Sequence, residues 1–239
     1  MSPRRPRNPS SVRTLPPGQQ ARPDFPRFGV PAYAGRLAKA AHGWQLMVGN
    51  DDGSTSPVPD EDFRTLGRRE IVADFHCVTT WSHCDLRWGG YCFRDFYEKI
   101  CLPRAPGLAA YRYIEVKALD GPRVRILLED LLQDGVLLAD QLHGEALPVK
   151  HGAPLRLVAP HLYGYKNVKH VSEIRLVSEF RASLAERQTL AHPRGRVDFE
   201  ERGRWLPGPF YRYLYRAFIP ATLWYFRLLE QRRNSRQLP

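Results

Sequence analysis

DFHCVTTWSHCDLRWG, residues 74–89, is the stretch whose reading decides the fold. The apolar run Ile71–Cys77 before it predicts a strand, and Thr79, Thr80, Trp81 and Ser82 predict a turn. Cys77 therefore stands where a strand breaks into a loop. A thiolate is the side-chain ligand suited to a soft transition metal, and a strand end is well placed to present one. A lone cysteine is more often a small buried hydrophobe. The rest of the chain has to decide between the two.

A chain of 239 residues, 43% of them hydrophobic, can build one large domain or two small ones around a sizeable core. Its net charge of +11 lies at its ends. Residues 1–23 hold five Arg and no acid, and residues 194–239 hold ten Arg against four acids. The body from Asp24 to Pro193 is balanced. A nucleic-acid module more often carries its basic patch within the fold, so no nucleic-acid partner is expected. The four cysteines, at 77, 84, 92 and 101, include no CxxC pair and no structural zinc spacing. They read as reduced thiols, which predicts a cytoplasmic setting. MSPRRPRNPSS has a twin Arg without an apolar region after it, so it does not read as an export signal. No run of 18 apolar residues suggests a spanning helix.

Taken in order, residues 1–24 predict a disordered basic arm, with six Pro and five Arg. Strands are expected in 43–50, 71–77, 153–160 and 171–179, and residues 111–121 alternate before a turn. Helix is expected over 60–70, over 91–102 where Phe93, Phe96, Tyr97 and Ile100 recur at helical spacing, and over part of 124–142. Glu129 and Asp130 read as a charged helix face. Strands mixed with short helices, without βαβ alternation, predict an α+β fold.

The second informative stretch is HGAPLRLVAPHLYGYKNVKHVSEIRLV, residues 151–177. A strand leads through Pro160 into a loop rich in cations and amides, the groups that hold a phosphate or a polar heterocycle. A solvated basic turn would have the same composition.

The two stretches together resemble the molybdopterin-binding fold of the sulfite oxidase superfamily, most of all its bacterial methionine-sulfoxide-reductase-type branch. The resemblance rests on DFHCVTTWS, on RW followed by FRDF, on LLADQLHGEALPVKHGAPLRLV and on PHLYGYKNVKHV, and runs from about Phe25 to Glu179. It implies a sulfite-oxidase-type fold of mixed sheets and short helices over a domain of residues 25–193. It also implies a Mo-molybdopterin cofactor and two-electron oxygen-atom transfer, or a related redox reaction, on a small molecule or sulfoxide. Cys77 matches the molybdenum ligand and the catalytic position. His151 and Arg156 match positions that contact the pterin. Lys166, Asn167, Val168 and Lys169 match the loop that holds its phosphate end, with His161 and Tyr163 flanking the pocket. Arg27 is a candidate for the cofactor funnel. Sulfite oxidases of vertebrates and plants carry an Arg-containing stretch just after the cysteine. Val78–Trp81 stands there in this chain, so the resemblance points away from sulfite.

Without a haem module in the match, a separate electron-transfer partner is expected. Residues 194–239, outside the match, predict a basic, aromatic, helical extension. Docking on the body is the first reading of it, attachment to a membrane or a membrane-bound donor the second, and RNA binding through Arg and aromatic stacking the last. The rival to the enzyme is a binding or assembly protein that kept the fold and works through its basic ends. The oligomeric state is not set by these features.

Overall fold

The computed structural model describes residues 14–27, 44–104, 111–182, 186–187 and 190–234. Among them are strands β1 (Gln20–Ala21), β2 (Met47–Asn50), β3 (Thr55–Pro57), β4 (Arg68–His76), β5 (Trp81–Cys92), β6 (Tyr113–Ala118), β7 (Arg123–Leu127), β8 (Leu137–Leu142), β9 (Glu145–Ala146), β10 (Arg156–Val158) and β11 (Val171–Val177). One sheet runs β1-β5-β8-β10, with β4 paired to β5 and β9 to β8. The other runs β3-β2-β11-β6-β7. In β6 every second residue is buried, and Ile114, Val116 and Ala118 face inward. That alternation is what a strand needs when one face covers a core.

The main core unites the inner residues of the second sheet with Leu138 and Leu157 of the first and with Phe93, Phe96 and Ile100 of a short helical segment. A smaller cluster of Leu86, Trp88, Leu137, Ala139, Leu142, Leu147 and Val158 packs with Phe25, Ile71, Ala73 and Phe75. This second cluster lies beside the Cys77 turn, because β4 and β5 are the two strands that the turn joins.

Several expectations change. The helix expected over 91–102 starts only at Phe93, because Tyr91 and Cys92 complete β5. The region 124–142 is β7, one helical turn at Leu128–Leu131, and β8. Asp130 in that turn is fully buried, gripped by Arg194 at 2.7 and 2.9 Å, and is no solvated face. Residues 1–13 lie outside the described part, but the basic arm is fixed from residue 14 onward. Gln20 and Ala21 pair in parallel with Trp81 and Ser82. The extension from residue 194 is joined to the body as well. Leu162 bridges to Arg196 and Ala191 to Gly203 before the helix Gly208–Asn234 begins.

Candidate functional site

Cys77 opens a four-residue turn between β4 and β5. Its N–H donates to the Trp81 carbonyl at 2.8 Å, and the Thr80 N–H donates back to the Cys77 carbonyl at 3.2 Å. Thr80 takes a left-handed φ of 80°, unfavourable for a β-branched residue and therefore held by its surroundings. Both ends of the chain supply that hold. Gln19 Nε2 donates to the Cys77 carbonyl at 3.1 Å, and its Oε1 accepts from Ser82 Oγ at 2.9 Å. Arg202 Nη1 donates to the Val78 carbonyl at 2.6 Å and Nη2 to the Pro17 carbonyl at 2.9 Å. Arg202 is itself fully buried, pairs with Glu200 at 3.0 Å and lies 5.0 Å over the Tyr163 ring. Burial pushes the Cys77 thiol up, while the Thr79 hydroxyl at 3.1 Å and the charges of Arg202 and Lys169 pull it down.

The opposite wall is built by residues 151–170. The 3-10 turn Val149–His151 ends at Gly152, whose φ is 119°. A Cβ there would lie 3.1 Å from the Cβ atoms of both Arg156 and Lys169, so glycine lets these two cations approach one another. Arg156 is fully buried. Its Nη1 donates to the His151 carbonyl at 2.8 Å, and its guanidinium lies 4.7 Å over Trp88. Its Nε and Nη2 have no partner. Burial lowers this arginine to about 9. The His151 ring stacks on Phe25 with centroids 4.4 Å apart, and its Nδ1 is also unpartnered. Burial first, then the charges of Lys169 and Arg156, lowers His151 to about 3, so it is neutral near pH 7. The two walls meet at the end of β4, where the Gly164 N–H donates to the His76 carbonyl at 2.8 Å and the Arg156 guanidinium lies 5.7 Å over the Phe75 ring.

His151, Arg156 and Lys169 thus lie together, on the side of the structure that faces the Cys77 turn. Three neighbours in the loop do not join them, for reasons of hydrogen bonding. Lys166 is fully buried, ion-paired to Glu186 at 2.5 Å and bonded to the Arg125 carbonyl at 2.9 Å. Its ammonium is committed to the fold rather than offered to a phosphate. Asn167 spends its amide on the backbone: Oδ1 accepts from Ala159 N–H, and Nδ2 donates to the carbonyls of Ala159, Leu162 and Tyr163. The Val168 side chain lies in the core and its N–H is bonded to the Lys166 carbonyl. These two hold the loop's shape. Tyr163, its hydroxyl buried and unpartnered, lies under Arg202 on the cysteine side, and burial raises it to about 12. His161 has a different set of neighbours, Asp130, Asp198 and Arg194, and burial lowers it. Arg27 lies 5.6 Å over Phe226 of the C-terminal helix, and its charge acts on Asp120 together with His170 and Lys169.

Gln19, Phe25 and Arg202 escaped the sequence reading. Gln19 sits in a stretch whose prolines and arginines read as disorder, and Arg202 is one of ten arginines in an unmatched tail. Among the described residues, no cluster of three or more His, Cys, Asp or Glu could hold a metal. A metal at Cys77 would take its other ligands from a cofactor. A cleft of about 700 Å³ opens elsewhere, at the edge of the second sheet near Arg123, Arg125 and Arg175. Its arginines are paired with Glu115 and Glu173.

Residues 33–184 match the model of the oxidoreductase molybdopterin binding domain. The chain belongs to this family. Among relatives, the uncharacterized oxidoreductase YuiH of Bacillus subtilis is 32% identical over 193 residues, covering 80% of this chain and 92% of YuiH. The protein-methionine-sulfoxide reductase catalytic subunit MsrP of Xanthomonas axonopodis pv. citri is 28% identical, covering 65% of this chain and 52% of MsrP. The chain thus spans about half the length of that relative. The sulfane dehydrogenase SoxCD of Paracoccus pantotrophus shares the fold, with a TM-score of 0.50 at 18% identity over 67% of this chain and 46% of that one.

This molybdopterin-binding domain is of the sulfite-oxidase type, α+β as expected, and it is an oxidoreductase domain rather than a binding protein that kept the fold. The donor set suits the cofactor. A pterin offers ring nitrogens and a carbonyl, and its phosphate offers anionic oxygens. The unpartnered Nε and Nη2 of Arg156, the Nδ1 of neutral His151 and the ammonium of Lys169 are the complementary groups.

Proposed function

We propose that this domain is the catalytic part of a molybdopterin-dependent enzyme that reduces sulfoxide-type small molecules, with Cys77 as the protein's ligand to molybdenum. The observation that carries the site is the buried cradle of unpartnered donors at His151 and Arg156, under the same Lys169 charge that reaches Cys77. Bound molybdopterin supplies the two-electron redox chemistry. Reducing a sulfoxide takes up two electrons and two protons and releases a thioether and water.

The chain's own residues seat and orient the group. Arg156 offers the N–H groups of two nitrogens, Nε and Nη2, from a buried site, and its third nitrogen, Nη1, is fixed on the His151 carbonyl. Neutral His151 can accept or donate at Nδ1 and is stacked flat on Phe25. Lys169, in place of the committed Lys166, is the cation for the anionic end. The backbone of the Cys77 turn is gripped by Gln19 and Arg202, which limits where the sulfur can sit when it meets a metal. The relative MsrP is named a catalytic subunit and a methionine-sulfoxide reductase, which supports a sulfoxide substrate and a separate electron donor for this domain.

The test is metal analysis and pterin fluorescence on protein from a molybdate-fed host that makes the cofactor. A reduced-viologen assay with methionine sulfoxide, dimethyl sulfoxide and an N-oxide follows. Near-stoichiometric molybdenum, turnover of a sulfoxide and its loss in Cys77→Ser with pterin retained are expected. A loaded protein inert toward every sulfoxide would remove the substrate assignment, and full turnover in Cys77→Ser the ligand assignment.

A further inference from the structure

The helix Gly208–Asn234 carries two apolar faces. Tyr211, Tyr215, Leu223 and Phe226 are buried against the body. On the other side Tyr213 is 78% exposed, Trp224 65%, Phe210 56% and Leu214 42%. At about 100° per residue these four fall on one stripe, opposite Tyr211, Tyr215 and Phe226. The segment leading into the helix adds Trp205, 73% exposed. A surface helix is normally polar on its outer face, so a stripe of large aromatics there implies a surface that covers it.

The chemistry of the stripe selects that surface. Arg204 and Arg216 are exposed along it, and no acid lies on it among the described residues. The nearby acid, Glu200, is buried and held by Arg202 and Arg212. A second copy of the chain would place one arginine rim against another around a two-fold axis, with no acid to match it. Tryptophan and tyrosine with flanking arginine are instead the side chains that settle at the boundary between lipid headgroups and acyl chains. No described helix is long and apolar enough to cross a membrane. We propose that the outer face of the C-terminal helix lies flat on an anionic lipid bilayer and holds the domain reversibly at that surface.

The inference is independent of the proposed substrate. It is tested with the full molybdenum-loaded chain and vesicles of phosphatidylcholine alone or mixed with phosphatidylglycerol. The protein is expected to float with the anionic vesicles about tenfold more than with neutral ones, since arginines near an anionic surface are drawn to it. The difference should shrink as salt is raised. Tryptophan emission should shift to the blue on binding, as Trp205 and Trp224 leave water. The Tyr213→Ser/Trp224→Ser variant should lose about tenfold or more in partitioning, with circular dichroism and melting midpoint unchanged. Arg216→Glu should weaken binding to anionic vesicles alone. No partitioning, equal partitioning onto neutral vesicles, or parental binding by the double variant would overturn the proposal. A concentration-dependent dimer that Trp224→Ser dissolves would overturn it too, by giving the stripe to a second copy.

Discussion

Arg202 and Arg156 are both fully buried arginines, one on each wall of the Cys77 site, and they are in opposite states. Arg202 has its charge answered by Glu200, two N–H groups on backbone carbonyls and an aromatic ring beneath it. Arg156 has one backbone carbonyl, two aromatic faces and two nitrogens, Nε and Nη2, without a hydrogen-bond partner. A buried cation without an anion costs free energy that the fold must supply from elsewhere. The arginine on the cysteine wall is therefore answered by the protein alone, while the one on the 151–170 wall keeps two nitrogens for the group that the proposed function seats there. Lys166 and Lys169, three residues apart, also differ: the first is buried against Glu186, while the second donates to the Lys150 carbonyl at 3.2 Å and its charge reaches both Cys77 and Asp120.

The largest expected effect is on turnover. Cys77→Ser should abolish sulfoxide reduction while pterin fluorescence persists, because the cradle on the far wall is intact. Next come the answered cations. Arg202→Met and Lys166→Met should each cost about 3 kcal/mol, leaving buried carbonyls or a buried carboxylate behind. For a domain of this size that is a fall of roughly 6–12 °C in melting midpoint, read by calorimetry with or without cofactor. A midpoint unchanged in both would break the contrast. Arg156→Met should behave with opposite signs in the two forms. The cofactor-free protein should gain about 1 kcal/mol by shedding an unanswered charge. The loaded protein should lose pterin about tenfold more readily, since charge-assisted hydrogen bonds are gone. Destabilisation of both forms would show that Arg156 is as structural as Arg202. Lys169→Gln should weaken pterin retention with little change in melting.

A further effect is in pH. His151 is held near 3 in the folded state against an ordinary value of 6.5. Between these values the unfolded chain binds a proton that the folded one refuses, so stability rises with pH. Folding free energy should therefore fall as pH drops from about 6.5 toward 3. The fall should be shallower in His151→Gln, as urea titrations at several pH values would record.

Each wall of the site was legible only in part. Cys77 could be picked out at the end of the apolar run Ile71–Cys77, and Arg156 through the resemblance of the stretch around it, which folds as the buried strand β10. The length of β5 could not. Its Gly89–Gly90 pair has the composition of a turn, yet a Cβ on Gly90 would lie 2.2 Å from the Leu138 carbonyl oxygen. Glycine is there because β5 and β8 run too close for a side chain, at an irregularity in their register. Lys166 and Lys169 could not be told apart either, because only the fold reveals which of them meets Glu186. Arg202 and Gln19 were hidden by neighbours that read as unstructured, although burial on the Cys77 turn is what orders them.

The turn that carries the cysteine draws on residues that a ribosome makes early and late. Pro17 and Gln19 emerge first; Arg202, which binds the Pro17 carbonyl across 185 positions, emerges close to the end of this stretch of chain. Until Arg202 has left the exit tunnel, the Val78 carbonyl has no buried partner and the turn lacks one of its clamps. The seat for the sulfur is therefore assembled after translation of the domain is nearly complete. A chain broken off before residue 202 would keep its cysteine but offer an incoming cofactor an unfinished place to dock.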